Sequence, residues 1–255
     1  MNPFSLAKKI FDAKTGKDPI DQDVDHGLPF KAKVGSLITL NVSPFLRAEG
    51  TLVKAPDRMQ TVVAISRLRM PMDGKLYRLY LTKGDDASEM ESFIQVYMNA
   101  KGEIDELQYY QRMLRMYPET EADYNLFTGR SEEGLGFKEF SLWKEQMAGI
   151  GYDEVLLDEA FGDEEQLVFE RQIPGADFLR PFTATENRID NSAGSEGLLQ
   201  EVIFMPYVRE LESGGQELLL LSTETVKEQN HRQKQEVHVD FMIGVPLNES
   251  DVSIQ

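Results

Sequence analysis

The chain has 255 residues, 41% hydrophobic and 28% charged, so it is long enough to bury roughly 70–75% of its unfolded surface without covalent staples. It has no cysteine, which excludes disulfides, thiolate metal sites, iron–sulfur clusters and a cysteine nucleophile. Its net charge of −17, from 44 acidic and 27 basic residues, opposes a phosphate backbone and argues against nucleic acid as a ligand.

Taken in chain order, the first element expected is a short amphipathic helix over residues 3–14, "PFSLAKKIFDAK". Phe4, Ala7, Ile10 and Phe11 share one face and Lys8 and Lys9 lie on the other. Such a helix can fold onto its own domain or, being basic and apolar, meet a membrane surface or a partner helix. The segment lacks a continuous apolar signal core, and no run of 18 apolar residues occurs anywhere, so a cytoplasmic protein, at most peripheral to a membrane, is expected. "TGKDPIDQDVDHGLP" reads as a linker, so that residues 1–28 form a helix-plus-linker unit.

From residue 36 the apolar period changes to two. "SLITLNV", "MQTVVAISRLRM", "KLYRLYLTK", "SFIQVYMN" and "EIDELQYYQRM" read as strands, with hairpin turns at "PMDGK" and "NAKGE". In "KLYRLYLTK" the alternation sets Leu76, Arg78 and Tyr80 on one face against Tyr77, Leu79 and Leu81 on the other. This β-rich half spans residues 29–128. In the second half, 129–255, "FKEFSLWKEQM" places Phe140, Trp143 and Met147 on one helical face, although a strand over 137–143 competes. "EEQLVFERQI", "GLLQEVIFMPYVREL", "QELLLLSTETV" and "VHVDFMIGVPL" read as strands, with "ESGGQ" as a turn and "KEQNHRQKQE" as a solvated connector. About ten strand-like runs, few helices and no βαβ alternation predict an α+β protein, mainly antiparallel β, built from meander-type sheets; the two halves form two units or one compact domain. A short likeness between "LYRLYL" and "PYVREL" hints at a duplicated meander without establishing one.

Few stretches carry chemistry. "GRSEEGLG" has the glycine spacing of a phosphate loop, but Leu135 and Gly136 stand where Lys and Ser or Thr are needed, so it reads as a surface turn. "DQDVDHG" resembles the start of a calcium loop, yet His26 replaces the required glycine and Ala32 the closing glutamate. "SAGSEG" lacks the spacing of a nucleophile elbow and reads as a loop after "TATENRIDN". His238 and Asp240 lie two apart on an expected strand and so share a face, which could begin a metal or acid/base pair, but no third partner can be named. No catalytic, cofactor or metal residue is assigned on this basis. The acid concentrates in "DEVLLDEAFGDEE", where Asp153, Glu154, Asp158, Glu159, Asp163, Glu164 and Glu165 form a solvated face or a docking patch for a basic partner.

The patterns "GLLQEVIFMPYVREL", "QELLLLSTE" and "HVDFMIGVPLNESDV", strongest over residues 190–250, resemble the YjfK-like family of uncharacterised bacterial proteins. The family has no assigned catalytic residues. The resemblance implies a genomic setting beside a phage-shock-protein-A-like coiled-coil protein and small membrane proteins, hence a link to envelope stress or membrane maintenance. The expectation is therefore a non-enzymatic adaptor that contacts a protein partner through residues 153–165 and through Phe4, Ile10 and Phe11. The alternative is a small-ligand binder or enzyme whose pocket is assembled from distant strands, with His238, Asp240, Tyr77, Tyr80, Tyr109 and Tyr110 as the first residues to inspect.

Overall fold

A computed structural model describes residues 5–14, 27–82, 90–191, 197–227 and 235–255. The expected N-terminal helix is α1 (Ser5–Lys14). The first β-rich stretch contains β1 (Leu37–Leu40), α2 (Ser43–Arg47), β2 (Met59–Thr61), β3 (Ala64–Arg69), β4 (Lys75–Thr82), β5 (Ser92–Met98) and β6 (Ile104–Met116). A central stretch follows with α3 (Glu121–Phe127), β7 (Glu139–Trp143), α4 (Lys144–Gly149), α5 (Glu154–Phe161) and β8 (Gln166–Arg171). The chain then runs through β9 (Phe182–Ile189), β10 (Gly197–Glu210), β11 (Gln216–Lys227), β12 (Gln235–Leu247) and β13 (Val252–Ile254).

The mainly antiparallel β architecture holds, with a correction to the expected meander: the large sheet closes into an eight-stranded barrel. Strands β3–β6 form one four-stranded meander and β9–β12 a second, each pairing its consecutive strands. The meanders then join along both edges. β3 pairs β9, with Ile65 opposite Ile189, and β6 pairs β12, with Gly244 opposite Tyr110. Closure removes the open edges that separate meanders would expose. Barrel strands thus come from both sides of residue 128. The "LYRLYL" and "PYVREL" strands are each second in their meander, yet they are not equivalent in facing. Arg78 points into the barrel, whereas Arg209 pairs outside it with Glu217.

β10 is long enough to serve two partners. Its first half pairs β9, and farther along Tyr207 pairs Arg171 of β8, so that β8 and the edge strand β7 extend the sheet beyond the ring. The "FKEFSLWKEQM" stretch resolves its competing periodicities by using both in turn: strand through Trp143, then helix from Lys144.

Several segments close the outside and one end of the barrel. Residues 45–54 cross the outer face: Phe45 meets Tyr109 edge-on at 5.1 Å, and the fully buried Glu217 carboxylate accepts from Thr51 Oγ1 at 2.5 Å, Leu52 N at 2.6 Å and Arg209. α1 seats Ala7 and Ile10 in the core and ties Lys9 to Asp105 at 2.6 Å, with its ammonium over the Tyr97 ring. β1 pairs with β2 and β13 in a small separate sheet. The glycine segment "GRSEEGLG" is a turn after α3, with Gly129, Gly134 and Gly136 at positive φ. No described helix is long and apolar enough to cross a membrane.

Candidate functional site

An eight-stranded barrel leaves an interior just wide enough for side chains to fill, and here the filling is unusually polar. Cross-strand partners share a face, so the register places Ser66, Arg78, Gln95, Gln108, Tyr110, Glu186, Arg188, Gln200, Ser222, Glu224, His238 and Asp240 inward. Leu76, Phe182, Phe204, Leu218 and Leu220 are among the apolar residues at other inward positions of the same strands. All of these are buried.

Glu186 on β9 anchors the network. One carboxylate oxygen accepts from Ser66 and from Tyr80 Oη at 2.6 Å; the other accepts from Arg78 Nη1 at 3.0 Å and Gln200 Nε2 at 3.0 Å. Removing two such charges from water costs several kcal/mol per ion and is repaid only when geometry and hydrogen bonding are close to complete. Burial alone would depress the Arg78 guanidinium, but the Glu186 carboxylate, Tyr80 and Glu224 together hold its pKa above the usual arginine range. Burial and the same carboxylate push the Tyr80 phenol well up, so it stays a donor. The Arg78 guanidinium also lies over the Phe93 ring, 4.7 Å from its centre.

Beside this anchor lies a second group, towards the end of the barrel where β6 runs out. Glu224 on β11 accepts from Gln200 Nε2 at 2.8 Å and from Ser222 Oγ at 3.2 Å. Asp240 on β12 receives the Arg115 guanidinium in a bidentate pair at 2.7 and 2.6 Å. His238 Nε2 stands between the two carboxylates, 3.5 Å from Glu224 and 3.6 Å from Asp240, and makes a hydrogen bond to neither. Burial would raise the Glu224 carboxyl, but His238, Arg78 and Arg115 outweigh it and hold the group down at about 2. Farther out, Arg188 lies over the Tyr80 ring and pairs with Glu91 at 3.5 Å and Asp190 at 2.9 Å. Burial, then the nearby Glu224 charge, pushes the Glu91 carboxyl up to about 8. In the same interior Arg78 lies against Glu186 and Glu224, Arg115 against Asp240, and Arg188 against Glu91 and Asp190.

Among the described residues, Arg78 Nη2, Gln200 Oε1 and His238 Nε2 are buried without a hydrogen-bond partner. Glu224, His238 and Asp240 each offer one ligand atom, all within 4.8 Å of one another. Their chemistry, two carboxylates and one imidazole, suits a borderline divalent cation such as zinc.

A different kind of site lies on the outer flank. A groove of about 330 Å³ runs between the barrel and the β7–α4 unit, lined by Met113, Met116, Phe127, Phe140, Met147 and Phe241 among others. Phe140 meets Phe241 at 5.9 Å and Phe127 meets Phe241 at 6.0 Å. Ile150, at the groove wall, is 46% exposed. A smaller cleft of about 230 Å³ lies where Pro44 and Arg47 face Gln108 and Pro246.

The structure distributes the residues singled out from sequence as follows. His238 and Asp240 share the barrel interior, as their spacing implied, and β11 supplies the partner that spacing could not name. Tyr80 and Tyr110 also point inward, whereas Tyr77 and Tyr109 lie on the outer face. In the acidic stretch, Asp153 caps α5 by accepting from Val155 N and Leu156 N, and Asp158 pairs with Lys144 at 3.0 Å. Glu154, Glu159, Asp163, Glu164 and Glu165 are exposed. Ile10 is buried and Phe11 packs against the core; Phe4 lies outside the described residues, as do His26, His231 and most of "DQDVDHG" and "SAGSEG". Sequence reasoning missed β9, with Glu186 and Arg188, inside "TATENRIDN". The available signal was a polar residue at mid-strand in "LYRLY", "FIQVY", "ELQYY" and "LLQEV", a repeated sign of a polar interior.

A family model describing a protein of unknown function (DUF2491) matches residues 7–253. The chain belongs to that family. The YjfK-like designation rests on the resemblance alone. No curated protein and no solved structure matches the chain.

Proposed function

We propose that this DUF2491 family member is a non-enzymatic docking module that holds a basic, amphipathic helical segment of a partner protein in the flank groove. The observation that carries the reading is the groove itself: Met116, Phe127 and Phe140, half-buried, and the exposed Ile150 form an apolar trough floored by the buried Met113, Met147 and Phe241 beside an edge strand. Methionine is flexible and polarisable and suits surfaces that accept varied apolar side chains. An amphipathic helix laid in such a groove buries its apolar stripe and turns its charges to the rim. The elements that supply its walls carry acid: α3 has Glu121 and Asp123, β7 Glu139 and α4 Glu145, and Lys144, the basic residue of α4, is already paired with Asp158. The acidic face at residues 153–165 continues the same field within a chain of net charge −17, which steers a basic partner and repels an acidic one.

The envelope-stress setting implied by the resemblance supplies partners of this chemistry, a phage-shock-protein-A-like coiled-coil protein or a small membrane protein with a basic flank, met on the cytoplasmic side. The test is a titration with a synthetic basic amphipathic helical peptide, followed by the fluorescence of Trp143, the only tryptophan, which is 44% exposed at the end of β7. Saturable binding is expected that weakens at least tenfold in Ile150→Asp and falls with salt. Equal binding by Ile150→Asp, or equal binding of an acidic analogue of the peptide, would overturn the reading.

A further inference from the structure

The geometry points to a binding site for a single zinc-class divalent cation inside the barrel, held by Glu224, His238 and Asp240. It is carried by observations independent of the flank groove. His238 is 5% exposed, and its Nε2 is the atom that makes no hydrogen bond. An imidazole held as a simple ion-pair partner would close on one carboxylate to hydrogen-bond distance, about 2.7–2.9 Å. Here it is held off both, at 3.5 and 3.6 Å. Donors bound to one tetrahedral zinc at bonds of 2.0–2.1 Å are about 3.3–3.4 Å apart; the two distances from His238 are within tenths of an ångström of that spacing, and all three ligand atoms lie within 4.8 Å of one another.

The surrounding residues do what partners of metal ligands do. Ligating carboxylates and imidazoles are normally fixed by outer hydrogen bonds. Arg115 grips Asp240 through both oxygens while leaving each a further lone pair, and Ser222 and Gln200 hold Glu224. The Gln200 amide donates to Glu224 through its nitrogen, while its buried Oε1 has no partner among the described residues. One nitrogen and two hard oxygens with an open fourth place favour zinc-class ions over magnesium, which prefers an oxygen octahedron. Access comes from the β6 end, where Arg115 is 27% exposed and the half-exposed Tyr117 ring meets His238 at 6.2 Å. Glu186 already compensates Arg78 at 3.0 Å, so Arg115, which holds Asp240, is the guanidinium that competes with the ion.

The experiment is equilibrium dialysis of the full chain against zinc chloride with metal analysis, paired with the visible spectrum of the cobalt(II)-loaded protein. The expected result is one zinc per chain, intense four-coordinate cobalt bands, an affinity at least tenfold weaker in His238→Gln, and no change in a His26→Gln/His231→Gln variant. Circular dichroism checks that His238→Gln folds; if it does not, the cobalt spectrum of the unaltered protein decides. Absence of stoichiometric zinc, a six-coordinate aquo-type cobalt spectrum, undiminished binding by folded His238→Gln, or loss of binding in the double variant would overturn the site.

Discussion

Arg78 on β4 and Glu224 on β11 approach to 3.7 Å, although three strands separate them in either direction around the barrel. Their contact therefore passes through the interior, and the polar network spans the full width of the barrel. This has a direct consequence for stability: a change on one wall exposes a charge on the other.

Glu186→Gln leaves the Arg78 guanidinium with its main counter-charge gone. Breaking a buried pair from one side costs about 3–5 kcal/mol, and urea unfolding is expected to show a loss of that size. The double change Glu186→Gln with Arg78→Met should be less destabilised than the sum of the two single changes, because it removes both charges together. Additive losses would mean that the two side chains are not coupled.

Glu91 predicts a specific pH dependence. Its carboxyl is ordinary, near 4.5, in the unfolded chain and raised to about 8 in the fold, by burial first and then by Glu224. The folded state thus holds a proton that the unfolded state gives up. This stabilisation is complete below about pH 4.5, declines as pH rises and is gone above about 8. Relative to Glu91→Gln, the unaltered protein should lose stability between pH 5 and 8 by at most about 1.4 kcal/mol per pH unit. Parallel stability curves for the two proteins would refute the assignment.

Gly244 sits opposite Tyr110, where a Cβ would lie 2.1 Å from the Tyr109 carbonyl oxygen and 2.6 Å from the Tyr110 ring. Because the nearest obstacle is backbone, no rotamer change relieves it. Gly244→Ala should cost about 1–3 kcal/mol, the range for overpacking, and lower the melting temperature measured by circular dichroism.

The Glu217 carboxylate is the fastening for residues 45–54. Glu217→Ala strands the Arg209 guanidinium and the Thr51 and Leu52 donors. Trypsin cleavage after Arg47 and Lys54 should accelerate several-fold before global unfolding. An unchanged digestion rate would show that Phe45 against Tyr109, with Tyr152 Oη and Arg209 donating to the Leu52 and Gly50 carbonyls, suffices to hold the segment.

How legible these features were depends on the strand. In "KLYRLYLTK" the alternation assigned Arg78 and Tyr80 to one face and Leu79 and Leu81 to the other, and the structure keeps that division. In "TATENRIDN" the same reasoning was blind. The outward Thr183, Thr185 and Asn187 meet solvent, and the inward face follows Phe182 and Ala184 with Glu186 and Arg188, which meet other charges, so the hydrophobic period breaks off after two positions. The apolar flank groove was equally hidden, since Met113 and Met147 come from a barrel strand and a helix that share no local pattern.

The sequence by itself determined the antiparallel β character, the excess of acid, a short helix within residues 3–14 and the shared face of His238 and Asp240, because each depends on neighbours a few residues apart. Only the tertiary structure decided that the two meanders close into a barrel, that Glu224 joins His238 and Asp240, and that Glu186 compensates Arg78 from 108 residues away. The physical reason is that alternation fixes which way a side chain points but not which strand lies beside it. Partner choice is settled by the burial gained and the edges removed when the whole sheet closes.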